Sequence, residues 1–280
     1  MGIFGGNYSK PGKGITKEEA SKRNYFDILS RKFWKLVQLN LLYAVCNILF
    51  IGASIFLAIG YDWVAILSAL LKGQLTLLPP LPFIPLMLMG PFTAGLTYVI
   101  RNYSRQEHAF MASDFFEHSK KNIKQGLLMS VLQVVATYLL ITAFFFYLNF
   151  FIAHGLNTGI LFGIAIVVTV LMLSMSFYVY PIMVTFDMKL IHILKNSWIF
   201  AISKLPQNLF ILIILAAVHG LLIWYYPLVW LILMPLFLIV WSSYTMNYYV
   251  WNVMDKYMMS QIEKPEEESE SVFDDSLLDK

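Results

Sequence analysis

Formal charge is what this chain lacks. Asp, Glu, Lys and Arg make up 13% of its 280 residues, and hydrophobic residues make up 59%. Soluble domains carry roughly 25% charged and about 45–50% apolar residues, so this excess exceeds what one water-solvated core can hold and marks an integral membrane protein. Cysteine is almost absent too. Cys46 stands alone, which excludes an intrachain disulfide and any metal site of paired cysteines. Ahead of the first apolar run, "MGIFGGNYSKPGKGITKEEASKR" has neither a signal-peptide core nor a cleavage site. Gly6 stands where a myristoylation motif carries Ser or Thr, so residues 1–24 read as a flexible basic tail.

Reactive patterns are missing as well. No His-Glu-x-x-His, Gly-x-Ser-x-Gly or P-loop arrangement occurs, so neither an enzyme nor a cofactor is expected. His108 and His118 together with Asp114 and Glu117 have the chemistry of a metal site. Their ten-residue separation across a helix boundary favours a solvated polar face instead.

Long charge-free runs are what the chain does have. A helix crossing the hydrocarbon needs about 20 apolar residues, and a charge at its centre costs roughly 2.5–3.5 kcal/mol on insertion. The runs without Asp, Glu, Lys or Arg cover 36–61, 73–100, 125–186 and 205–254. The last two are long enough for two crossings each, with turns at "AHGLNTG" (153–159) and "WYYP" (224–227). Six spans result, at about 36–60, 80–101, 126–151, 158–184, 206–223 and 226–252. Threading them up and down places 19 of the 20 lysines and arginines on one side, with Lys72 on the other. The positive-inside rule then makes both termini cytoplasmic. Ion-coupled transport usually needs a counter-charge within the spans, and none is present.

Three charged segments at the cation-rich side read as amphipathic interfacial helices, at about 25–35, 113–125 and 187–204. In the second, Ser113 is the expected N-cap, with Asp114 and Glu117 in the first turn and Lys120, Lys121 and Lys124 in the last, an order that complements the helix dipole. Phe116, Ile123 and Leu127, with Phe115 nearby, form its apolar face, and the lysines are expected near anionic headgroups. Arg101, Arg105, Asp114, Phe115, Phe116, Glu117, Lys120, Lys121 and Lys124 are thus the candidate interfacial or partner-docking residues. Each segment precedes a small or amide residue and two apolar ones: Asn40-Leu41-Leu42, Gly126-Leu127-Leu128 and Asn208-Leu209-Phe210. Their spacing suggests three units, each a short helix plus a two-span hairpin.

Within the spans, Asn40, Tyr43 and Asn47 share one face, and Gln133, Thr137, Ser174 and Ser176 can line a bundle interior or bridge helices. His219 is expected in a hydrogen-bonded structural role. Gly90, Pro91 and Pro181 are expected to kink their helices. Trp241, Tyr244, Tyr248 and Trp251 recur on one face and read as a headgroup belt. The tail "EKPEEESESVFDDSLLDK" (263–280) is acidic and reads as disordered.

The blocks "NYSKPGKG" (7–14), "RKFWKLVQLNLLY" (31–43), "GPFTAGLTYVIRNYSRQEHAFMASDFFEHSKKNIKQG" (90–126) and, less tightly, "YPIMVTFDMKLIHILKNSWIFAISKLPQNL" (180–209) give the chain its family likeness. It resembles the YesL-like family of bacterial integral membrane proteins, whose biochemical function is not established. The resemblance implies six spans and a setting beside carbohydrate-uptake and two-component regulatory systems. It transfers no catalytic residue. The expectation is an all-α, six-span helical bundle of the bacterial plasma membrane, embedded in the lipid bilayer, with no nucleic-acid partner. Its expected role is non-enzymatic, accessory to sugar uptake or its regulation, the alternative being an uncoupled carrier or channel for a neutral solute.

Overall fold

The computed structural model describes residues 24–72, 78–155 and 159–259. The expected flexible N-terminal tail, up to residue 23, and the acidic tail at 263–280 lie outside the described residues. All regular structure among the described residues is helical. In chain order the α-helices are α1 (Tyr25–Ile59), α2 (Trp63–Leu71), α3 (Gly90–Ser104), α4 (Met111–Lys121), α5 (Ile123–His154), α6 (Gly159–Thr185), α7 (Leu190–Ser203), α8 (Leu205–Tyr225), α9 (Pro227–Leu233) and α10 (Ile239–Met254). Two 3₁₀ segments, Leu81–Phe83 and Pro85–Met89, lead into α3, and a π segment, Met234–Leu238, joins α9 to α10.

Six of the resulting helical runs are long and apolar enough to cross a membrane: Tyr25–Ile59, Leu81–Ser104, Ile123–His154, Gly159–Thr185, Leu205–Tyr225 and Pro227–Met259. Several exceed what a crossing needs. At 35 residues, α1 is about 50 Å long, against a hydrocarbon thickness of about 30 Å. In α1 the excess, residues 25–35, lies at the end of the bundle that carries the lysines and arginines, the charged end. Among the described lysines and arginines, all but Lys72 fall there, because the antiparallel order returns each charged connection to the same level.

Three helices, α3, α6 and α10, touch one another and form the centre. The other three long helices each cover one seam of that triangle: α1 over α10 and α3, α5 over α3 and α6, α8 over α6 and α10. The short helices fold back on the centre, α4 against α3 and α7 against α6. Their counterpart on α10 is not a separate element. Residues 25–35 are the opening turns of α1, and Tyr25 packs on Tyr244 and Tyr248.

The three residues that mark the sequence units hold corresponding places in this ring. Asn40 binds the π segment ahead of α10: its Nδ2 donates to Met234 O at 2.9 Å, and its Oδ1 accepts from Val240 N at 2.8 Å. On α5, Gly126 lies backbone to backbone against Gly90 at the start of α3. Asn208 on α8 accepts from the Tyr178 hydroxyl of α6 at 2.7 Å. Each marker therefore meets the central helix of the preceding unit.

Gly90 and Pro91 open α3 after a 3₁₀ run, and Pro91 occupies a first-turn position where no intrahelical N–H bond is required. They stand at the junction between the 3₁₀ run and α3. The helix α6 runs through Pro181 to Thr185 without a break. Pro235, not singled out from the sequence, sits where the backbone departs from α geometry. A π segment frees backbone groups that lipid cannot satisfy, and Asn40 satisfies two of them.

Candidate functional site

The opening turn of α4 differs from the expected cap. The helix starts at Met111, not Ser113, because Asp114 Oδ2 accepts the Phe110 N–H at 2.9 Å while Phe110 O accepts from Asp114 N at 2.8 Å. His118, Lys120 and Lys121 occupy its last turn, where cations suit the dipole. Its buried face is Phe115 and Ser119. Both lie against Gly95 of α3, and a Cβ at Gly95 would collide with the Phe115 carbonyl and the Ser119 hydroxyl. Phe92 stacks on Phe115 with ring centroids 6.1 Å apart. The expected apolar face is thus shifted: Phe116, Ile123 and Leu127 are exposed, beside Lys120, Lys121 and Lys124.

Arg101 is turned inward against α6. It is 8% exposed, and its Nη1 donates to Val184 O at 2.8 Å and Thr185 Oγ1 at 3.2 Å on α6. Its Nε and Nη2 donate to Asn102 Oδ1 at 3.1 and 2.9 Å. The guanidinium also lies 4.5 Å from the Tyr98 ring centroid, and His118 stacks on that ring at 3.3 Å. Burial, followed by neighbouring charges of both signs, leaves His118 below the ordinary histidine value. Arg105 sits 4.0 Å over the Trp251 ring and pairs with Glu107 at 2.6 Å, tying the α3–α4 connection to α10.

The nine candidate residues therefore divide. Arg101, Asp114, Phe115 and Arg105 build the charged end, whereas Phe116, Glu117, Lys120, Lys121 and Lys124 stay exposed on its surface. His108 lies against Phe110 and His118 on Tyr98, so the four metal candidates do not converge. The aromatic face of α10 is interior packing at Tyr244, which is fully buried and donates to Tyr25 O at 3.1 Å. Trp224, Tyr225 and Tyr226 at the opposite end are exposed, as a belt requires.

Two of the cavities beside these helices are lined by candidate residues. One, of about 560 Å³, lies between the α4–α5 corner and the end of α6, and the exposed lysines line it. The other, of about 480 Å³, lies between α5 and α6 and is mostly apolar, with Gln133, Thr137 and Ser176 in its wall. Ser174 is buried and is not among its lining residues. Toward the far end, Trp230 Nε1 donates to His219 Nδ1 at 3.1 Å, so His219 Nε2 carries the proton and meets Ser242 Oγ at 2.9 Å. His219 is a neutral bridge between α8, α9 and α10.

Fold and site together define an all-α polytopic membrane bundle. Within it, residues 36–144 form a domain that matches the family described as "Protein of unknown function, DUF624". No curated protein and no solved structure matches the chain.

Proposed function

We propose that the chain is a non-enzymatic component of the bacterial plasma membrane that acts by docking a partner at its charged end, with both termini cytoplasmic. The observation that carries this reading is where the packing lies. The buried clusters lie mainly in the charged-end parts of the helices, around Leu36–Tyr43, Leu96–Tyr103, Phe177–Val184 and Tyr244–Met254. Toward the far end the helices present exposed apolar side chains suited to lipid. A rigid charged end with an outward row of Phe116, Glu117, Lys120, Lys121 and Lys124 suits recognition. The YesL-like resemblance makes a carbohydrate-uptake or two-component regulatory membrane protein the expected partner.

The test is site-specific photo-crosslinking at Phe116 and Glu117 in native membranes, with His154 as the far-end control. A discrete adduct from the first two positions, absent at the third, is expected. An uncoupled carrier or channel for a neutral solute is the second reading, favoured by Gln133, Thr137 and Ser176 sharing one cavity. Sugar flux into liposomes containing only this protein, abolished by Gln133→Leu, would establish that reading instead.

A further inference from the structure

Three members of the exposed row, Lys120, Lys121 and Lys124, also line the cavity between the α4–α5 corner and the end of α6. That cavity is lined by His118, Lys120, Lys121 and Lys124 on one side and by Thr185 and Asp187 on the other. Among the described residues, none of the three lysines makes an ion pair. Asp187 is the one carboxylate in the wall, so the lining remains cationic even with His118 neutral. The first turn of α5, residues 123–125, lines the same space, and the N–H groups of a helix start favour an anion. A volume of about 560 Å³ is far above the roughly 30 Å³ of one water and accommodates a phosphate-bearing headgroup. Directly along α5 from the lysines, Ile123, Leu127 and Leu128 are exposed and apolar.

We propose that this cavity binds the anionic headgroup of a phospholipid, with Lys120, Lys121 and Lys124 around its phosphate and its chains along Ile123, Leu127 and Leu128. Free phosphate offers the same oxyanion, but it leaves the adjoining apolar strip unused. A phosphodiester carrying acyl chains satisfies both halves of the surface. Basic pockets at the membrane edge of a helix bundle suit this chemistry.

The experiment uses the full-length protein in detergent, with native mass spectrometry after addition of phosphatidylglycerol, phosphatidylcholine or inorganic phosphate. Phosphatidylglycerol is expected to be retained over phosphatidylcholine. Lys120→Gln with Lys124→Gln is expected to lower its occupancy about tenfold. The control pair Lys189→Gln with Lys195→Gln, which removes equal charge from elsewhere at the same end, is expected to leave it unchanged. If the pocket pair fails to fold, Lys124→Gln alone, checked by size exclusion, is expected to lose a few-fold. Equal loss in both pairs overturns the site in favour of diffuse attraction. Phosphate bound with the same lysine dependence, without retained phosphatidylglycerol, overturns the lipid assignment. So does lipid uptake seen only after truncation beyond Gln261, which would make the acidic tail the occupant.

Discussion

Arg101 and His118 show how residue chemistry builds the charged end. A guanidinium offers five N–H donors in a planar fork, and here they reach α6 and Asn102 at once while the flat face covers Tyr98. Arg101→Gln strands the Val184 carbonyl and is expected to cost about 2 kcal/mol, read as a lower thermal unfolding midpoint in detergent. Arg101→Lys should recover little of it, because an ammonium lacks the fork. His118 gives a pH signature. Burial of the stacked ring favours the neutral form, so the folded-state value lies below the 6.5 of an unfolded histidine. The unfolded chain then binds the extra proton first, and the stabilisation is fully present above about pH 6.5 and declines as pH falls below it. Thermal midpoints from pH 7.5 to 5.5 should fall less in His118→Gln than in the unaltered protein.

At the scale of elements, close backbone approach and side-chain caps decide which helices touch. The corner between α4 and α5 brings Gly126 onto Gly90 and Phe115 onto Gly95, with no room for a Cβ on either α3 glycine. Gly95→Val should push α4 off α3 by overpacking, at a cost of about 1–3 kcal/mol. Limited proteolysis should then cut the connection around residues 105–110 faster than in the parent. Asn40 makes a different kind of joint. Asn40→Leu leaves the Met234 carbonyl and the Val240 N–H unpaired in an apolar setting, which is expected to cost about 1–3 kcal/mol. Loss of thermal stability is the readout. An unchanged midpoint would show that Asn40 contributes nothing to the joint at Pro235.

For the whole molecule, three helices at the centre and three across their seams give a ring whose charged end is packed and whose far end presents exposed apolar side chains. Positive charge sets the direction of such a ring through the positive-inside rule. In a Cys46→Ser background, an impermeant thiol reagent added to intact cells should label His154→Cys and leave Lys120→Cys unlabelled. Labelling of Lys120→Cys alone would invert the topology.

The sequence by itself determined the helical class, the number of crossings and the side on which charge gathers. Each follows from transfer energetics that act residue by residue along the chain, so a run from Leu36 to Tyr61 can be read without knowing its neighbours. Three units were also legible, because Asn40, Gly126 and Asn208 recur at similar intervals. The tertiary structure decided which faces are interior. Phe115 is buried and Phe116 exposed, although both are equally apolar, because Gly95 on another helix admits one and not the other. Arg101 and Tyr244 looked like surface residues until α6 and α1 supplied their partners. Burial depends on contacts between segments far apart in sequence, and no local pattern of polarity encodes them.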